Sequence, residues 1–197
     1  MNQLSLRAHE TEALATWIRT RAAQLVRPCV VALDGRSGAG KSTLAARLAR
    51  LLDGVVLEGD AFFAGGVDVR RDSPRDRARD CIDWRRQRPV LEALRAGREA
   101  RYVAFDWDAF DGRLEGEPSV CEPRDVVVFE GVYTARPELA DLTDLRVLLR
   151  VSDEVRIARL LAREGTIGPW ERQWHEAEEW YFAHDATPGW FDAIIDE

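Results

Sequence analysis

Between Glu10 and Val26 the apolar residues Ala13, Leu14, Trp17, Ile18 and Leu25 recur near helical spacing, with Arg19 and Arg21 turned outward. This predicts an amphipathic helix closed by Pro28. The run that follows, Cys29 to Leu33 (CVVAL), has adjacent valines and no alternation, as expected of a parallel strand covered on both faces. Helical period returns over Lys41 to Leu52. Val55 to Leu57 predicts a second strand that runs out into Glu58, Gly59 and Asp60, with a polar, glycine-containing segment from there to about Pro74. Arg85 to Ala96 reads as a helix with Pro89 in its first turn and Gly97 as its stop. Arg101 to Phe110 alternates loosely and leads into the turn-rich DGRLEGEP, which predicts a small hairpin or extension.

Asp125 to Phe129 and Leu145 to Val151 predict two more buried strands, Asp153 to Arg163 and Trp170 to Ala183 two helices, and Phe191 to Ile195 a last strand. Strand and helix in this rhythm predict a parallel α/β sheet with helices on both faces. There is no internal repeat, low-complexity segment or linker, so one domain over 1–197 is expected.

Charge narrows the function classes. A formal net charge of -7 argues against nucleic acid or a membrane surface as the main partner, because both require a positive field. The N-terminal stretch MNQLSLRAHETEALATW lacks a basic-then-apolar leader pattern, and no apolar run approaches the ~18 residues of a membrane span. A cytoplasmic protein is expected. Cys29, Cys81 and Cys121 are odd in number and have no metal-ligand spacing, which predicts small buried thiols in a reducing compartment.

The most specific signal is GRSGAGKST at residues 35–43, which contains Lys41, the only lysine of a chain with 27 arginines. Gly35, Gly40, Lys41 and Ser42 satisfy Gly-x-x-x-x-Gly-Lys-Ser/Thr between a predicted strand and a predicted helix, the context of a P-loop. Backbone N–H groups of such a loop, here Ser37, Gly38, Ala39, Gly40 and Thr43 with Lys41 and Ser42, turn inward onto phosphates, and the helix start adds its positive dipole end. A compact ammonium fits inside that loop and a planar guanidinium does not. ATP-type triphosphate binding follows, with the Ser42 hydroxyl as a magnesium ligand. Glu130 and Asp60, each a carboxylate at the C-terminal end of a predicted strand, are the two candidates for the accompanying acid.

Taken in order, GRSGAGKST, LEGDAFF, CIDWRR, AFDWDAFDGRL and DVVVFEGVY resemble the uridine kinase-like group of P-loop small-molecule kinases over about residues 28–195. The resemblance implies a five-stranded parallel core of order 2-3-1-4-5, a lid at about 156–170, an acceptor region at about 60–113, and transfer of the ATP γ-phosphate to a hydroxyl of a small molecule. In it Asp60 matches the carboxylate that takes the proton of the attacking hydroxyl, Glu130 the acid near the magnesium, and Asp83 a ligand of a substrate hydroxyl. On the helix from Asp153, spacings of three and four put Arg156, Arg159 and Arg163 on one face, able to converge on a phosphoryl group in transit, with Arg159 and Arg163 the preferred pair. The oligomeric state is left open, homo-oligomers included.

Where nucleoside kinases of that group read a pyrimidine with a tyrosine and a histidine, the matching places here are Phe105 and Phe110, whose rings form no base-edge hydrogen bonds. Phe105, Trp107 and Phe110, among Asp106, Asp108 and Asp111, instead suggest an apolar wall with acids, suited to a polyhydroxy or amino-bearing acceptor, in a pocket that lies between Phe62 and Phe110. Trp170, Trp174, Trp180 and Trp190 read as packing residues. Arg70 to Arg88 holds eight arginines and four aspartates, which keeps a phosphorylated acceptor open as an alternative. A nucleotide-dependent switch ATPase is the alternative of another class.

Overall fold

In the computed structural model, residues 3–197 are described, and Met1 and Asn2, the start of the stretch read for a leader, lie outside the described residues. In chain order the elements are β1 (Leu4–Arg7), α1 (Thr11–Ala22), β2 (Cys29–Asp34), α2 (Lys41–Leu52), β3 (Val55–Glu58), α3 (Pro74–Asp80), α4 (Trp84–Arg95), β4 (Ala100–Tyr102), β5 (Ser119–Cys121), β6 (Val126–Glu130), β7 (Leu145–Arg150), α5 (Asp153–Glu164), α6 (Pro169–His184) and β8 (Ala193–Asp196). β4 and β5 form a separate antiparallel pair, the extension anticipated after Arg101.

The main sheet has six strands, in the order β1-β8-β7-β2-β6-β3, and all its pairings are parallel. This corrects the expected five-stranded sheet in count and in full order. The added strand is β1, which pairs with β8 at the edge beyond the strands anticipated from the sequence. The five anticipated strands, β3, β6, β2, β7 and β8, are consecutive within the larger order.

β2 is buried along its whole length, and its residues divide between two cores. Val30 and Ala32 face a core closed by α4 and α6, while Cys29, Val31 and Leu33 face one closed by α1 and α2. This is why the run shows no polar alternation: neither face meets water. Phe129 on β6 is fully buried in the first core, where truncation to alanine costs roughly 3–5 kcal/mol. The three cysteines are buried free thiols. Among the described residues no helix is long and apolar enough to cross a membrane.

The parallel arrangement brings the C-terminal ends of β2, β3 and β6 to one edge. Register pairs Leu33 with Glu130 and Glu58 with Glu130, so the phosphate loop, the Glu58-Gly59-Asp60 corner and Glu130-Gly131 leave the sheet side by side. Ligands of open parallel sheets bind at this edge.

Candidate active site

After β2 the chain enters its glycine-rich loop and returns as α2 at Lys41. Gly40 takes φ 95° immediately before the helix and Gly38 takes φ 80°, both left-handed values that favour glycine. Gly38 is doubly required, because a Cβ there would lie 2.6 Å from the carbonyl oxygen of Arg156 at the start of α5. Lys41 is 7% exposed, and its Nζ donates to the Arg36 carbonyl at 3.2 Å, closing the loop over itself. Ser37, Gly38, Gly40, Lys41, Ser42 and Thr43 form one wall of a hollow of about 300 Å³; Asp60, Glu130, Arg159 and Arg163 stand on the other. Ala39 borders a different cavity, and Gly35 lies beneath the loop against Leu149.

Two carboxylates meet this wall. Glu130, 6% exposed at the end of β6, is pushed up to about 7 by burial first and by Asp60 next, against Lys41 and a hydrogen bond with Ser42. Asp60 lies in the 3-10 turn Gly59–Phe62. Its side chain is open to solvent within the cleft but enclosed by protein on its other sides, and this enclosure raises its carboxyl against the charges of Lys41 and Arg163. Gly131 permits the approach: a Cβ there would lie 3.2 Å from Asp60 Oδ1.

The three arginines of α5 have different surroundings. Arg156 is buried and bonded to Asp153, packing the helix onto the loop. Arg159 donates to the Ala39 carbonyl at 3.3 Å and pairs with Glu197, at the rim near Gly40. Arg163 pairs with Glu164 at 2.6 Å and is the one of the three that bears on Asp60.

Ser37, Asp60, Leu160 and Arg163 also line a second cleft of about 150 Å³, walled by Phe63, Trp107, Trp170, Trp174 and Tyr133. Of the acceptor-side candidates, Asp60 and Trp107 reach it. Phe62 does not: it is fully buried, 4.9 Å from the Tyr102 ring, and Phe63 takes the cleft position. Phe105 lies behind the wall, 3% exposed and 5.0 Å from Phe63. Asp83 is the N-cap of α4, its carboxylate accepting from the Arg85 N–H at 3.0 Å, and it lines neither cleft.

Trp174 is buried in the core and Trp170 packs against it, as the sequence pattern assigned, and both also line the cleft. One turn further on α6, buried Glu178 accepts from the Ser37 N–H at 3.1 Å and from the Ser37 hydroxyl. The spacing of Trp170, Trp174 and Glu178, four residues each, was the available signal for one helix face turned to the site.

None of the eight arginines between Arg70 and Arg88 lines either cleft. Ion pairs of Arg70 with Asp72, Arg77 with Glu176, Arg79 with Asp76 and Asp80, and Arg88 with Asp141 account for four of them.

A family model described as an AAA domain matches residues 31–179. A uridine kinase of Ligilactobacillus salivarius is 22% identical over 159 residues, covering 70% of this chain and 67% of that protein. Among solved structures, one described as a possible uridine kinase from Bacillus stearothermophilus superposes with a TM-score of 0.72 at 18% identity, covering 94% of this chain and 97% of that one. A D-glycerate 3-kinase from Cryptococcus neoformans superposes with a TM-score of 0.62 at 13% identity, covering 95% of each chain. At such identities the structural likeness establishes the P-loop α/β fold.

Proposed function

The chain belongs to the AAA-domain family of P-loop proteins, and we propose that it is a kinase, transferring the γ-phosphoryl group of magnesium-bound ATP to a hydroxyl of a small unphosphorylated acceptor. The observation that carries this is the position of Asp60, a carboxylate on the boundary of two clefts, one walled by the phosphate loop and the other by aromatic rings. The names of the relatives, kinases of hydroxyl compounds, support the same chemistry.

Each residue then has a task. The N–H groups of the loop and Lys41 hold the β- and γ-phosphates. A raised, buried Glu130 bonded to Ser42 fits a divalent cation, which would remove the burial cost by supplying the missing positive charge. Ser42 and Glu130 would hold that ion, which supplies charge neutralisation at the phosphates. Asp60 accepts the acceptor's proton as the hydroxyl oxygen bonds to the γ-phosphorus and the bond from phosphorus to the β–γ bridging oxygen breaks, with ADP leaving. Its raised carboxyl suits a base that must take a proton and give it back. Arg163 meets the charge of the group in flight, and 156–170 acts as the lid that carries it.

None of the eight arginines of the 70–88 segment lines either cleft, and four of them are held in ion pairs, which favours an acceptor without phosphate. A built cleft behind Asp60 favours transfer over a switch ATPase, which has no acceptor to house. Mass spectrometry of mixtures containing ATP, magnesium and hydroxyl compounds tests the assignment. A product gaining one phosphoryl group is expected; phosphorylation only of compounds already bearing phosphate would contradict it.

A further inference from the structure

The cleft behind Asp60 carries an excess of acidic side chains. Asp60, Glu164, Glu171 and Glu178 line it, against the single guanidinium of Arg163. Arg163 pairs with Glu164. Glu171 accepts from the Gly168 N–H at 2.7 Å and Glu178 from Ser37, bonds that orient the carboxylates without cancelling their charge. Glu171 and Glu178 therefore have no ion-pair partner among the residues lining the cleft, and Asp60 shares Arg163 with Glu164. His175 also lines it, and burial holds its pKa below the ordinary imidazole value.

Beside Cys81, Ile82, Val132 and Leu160, the uncharged lining is largely aromatic, with rings at several angles. Phe63 lies 4.9 Å from Trp107, 6.1 Å from Trp170 and 5.7 Å from Trp174, with interplanar angles of 42°, 57° and 86°. The rings pack against one another, and the half-exposed Trp107 offers a ring on which a cation can sit. Within the protein the indole N–H of Trp174 and the hydroxyl of Tyr133, both on residues of the lining, have no hydrogen-bond partner, in residues 8% and 3% exposed. Tyr133 holds its place at a strained φ of 69°.

We propose that the acceptor is cationic, a small hydroxyl compound bearing an ammonium group, with the ammonium against Trp107, Trp170 and the carboxylates of Glu171 and Glu178 and the hydroxyl at Asp60. An anionic acceptor meets two unmatched carboxylates beside Asp60, and a neutral one leaves them without a counter-charge. The assignment rests on the kinase reading for the hydroxyl's fate and on the cleft alone for the charge.

The test uses matched pairs that differ in that charge: choline against its neutral carbon analogue dimethylbutanol, and glucosamine against N-acetylglucosamine. Binding is read by tryptophan fluorescence on the full chain saturated with magnesium and a non-hydrolysable ATP analogue, and turnover by ADP release. In at least one pair the charged member binds about tenfold or more tighter. Trp107→Leu, at a side chain 44% exposed and so tolerant of change, weakens that binding about fivefold without altering nucleotide affinity, and Trp107→Phe restores it. Equal or tighter binding of the neutral members, or no binding by either charged member, overturns the proposal. The kinase reading fails separately, if ATP turnover is indifferent to every acceptor; turnover of neutral acceptors alone keeps the kinase and removes the cation.

Discussion

The Tyr181 hydroxyl, on α6, donates to Asp34 Oδ2 at 2.8 Å where β2 turns into the phosphate loop. Asp34 is fully buried and takes three further donors: the N–H of Gly35 at 2.8 Å and of Tyr133 at 3.1 Å on Oδ1, and the N–H of Ala135 at 2.9 Å on Oδ2. One carboxylate thus fixes the loop entrance, the turn after Glu130 and the helix that carries Trp170, Trp174 and Glu178. The two clefts share this bolt.

Four donors leave no room for an amide nitrogen. Asp34→Asn is expected to lose roughly 2–3 kcal/mol of stability, since its NH₂ faces a donor whichever way it turns, and Tyr181→Phe about 1–2 kcal/mol. Urea unfolding measures both. An Asp34→Asn protein as stable as wild type would contradict the assignment.

Gly38→Ala places a Cβ 2.6 Å from the Arg156 carbonyl oxygen and strains a φ of 80°. The loop and α5 must separate, so nucleotide affinity is expected to fall on the order of 100-fold, while the fold loses about 1–3 kcal/mol. Calorimetric titration with ATP analogue checks the first and thermal unfolding the second.

Glu130, pushed up to about 7, makes magnesium binding compete with a proton. Its folded value lies above the ordinary carboxyl value, so its protonation favours the metal-free fold below that value and the benefit is lost as pH rises through about 7. Magnesium-nucleotide affinity is expected to fall about tenfold for each pH unit below 7 and to level off above it. Titrations from pH 5.5 to about 8.5 measure the slope, and Glu130→Gln is expected to flatten it.

Arg159 and Arg163 share a helix face but differ in surroundings, Arg159 at the Ala39 carbonyl and Arg163 beside Asp60. Arg163→Ala is expected to lower kcat on the order of 100-fold with little change in the KM for ATP, because its charge bears on Asp60. Arg159→Ala, at the rim beside Ala39, is expected to raise the KM for ATP about tenfold with kcat nearly kept. Steady-state kinetics of the two variants under one acceptor would show the reversal if the assignment is wrong.

The phosphate side was legible in the sequence because its geometry is local: nine consecutive residues dictate a loop, and buried strands on either side place it. β1 was not, since LSLR is short and gains its partner only from β8, at the far end of the chain. The acceptor side failed for a similar reason. Which of Phe62 and Phe63 faces the cleft depends on the 3-10 turn at Gly59–Phe62, and a one-residue rotation exchanges core for site. Asp83 precedes a helix, where a carboxylate serves equally as a cap. Trp170 and Trp174 have the spacing of packing residues, and only the position of α6 over the loop turns them into a wall.

The most direct measurement compares acceptor-dependent ADP release by wild type and Asp60→Asn, with nucleotide affinity determined on the same preparations. Asn keeps the shape and removes the base, so transfer is expected to fall on the order of 100-fold or more while ATP binding persists. Wild-type transfer by Asp60→Asn would remove Asp60 from the chemistry and, with it, the proposed meeting of the two clefts.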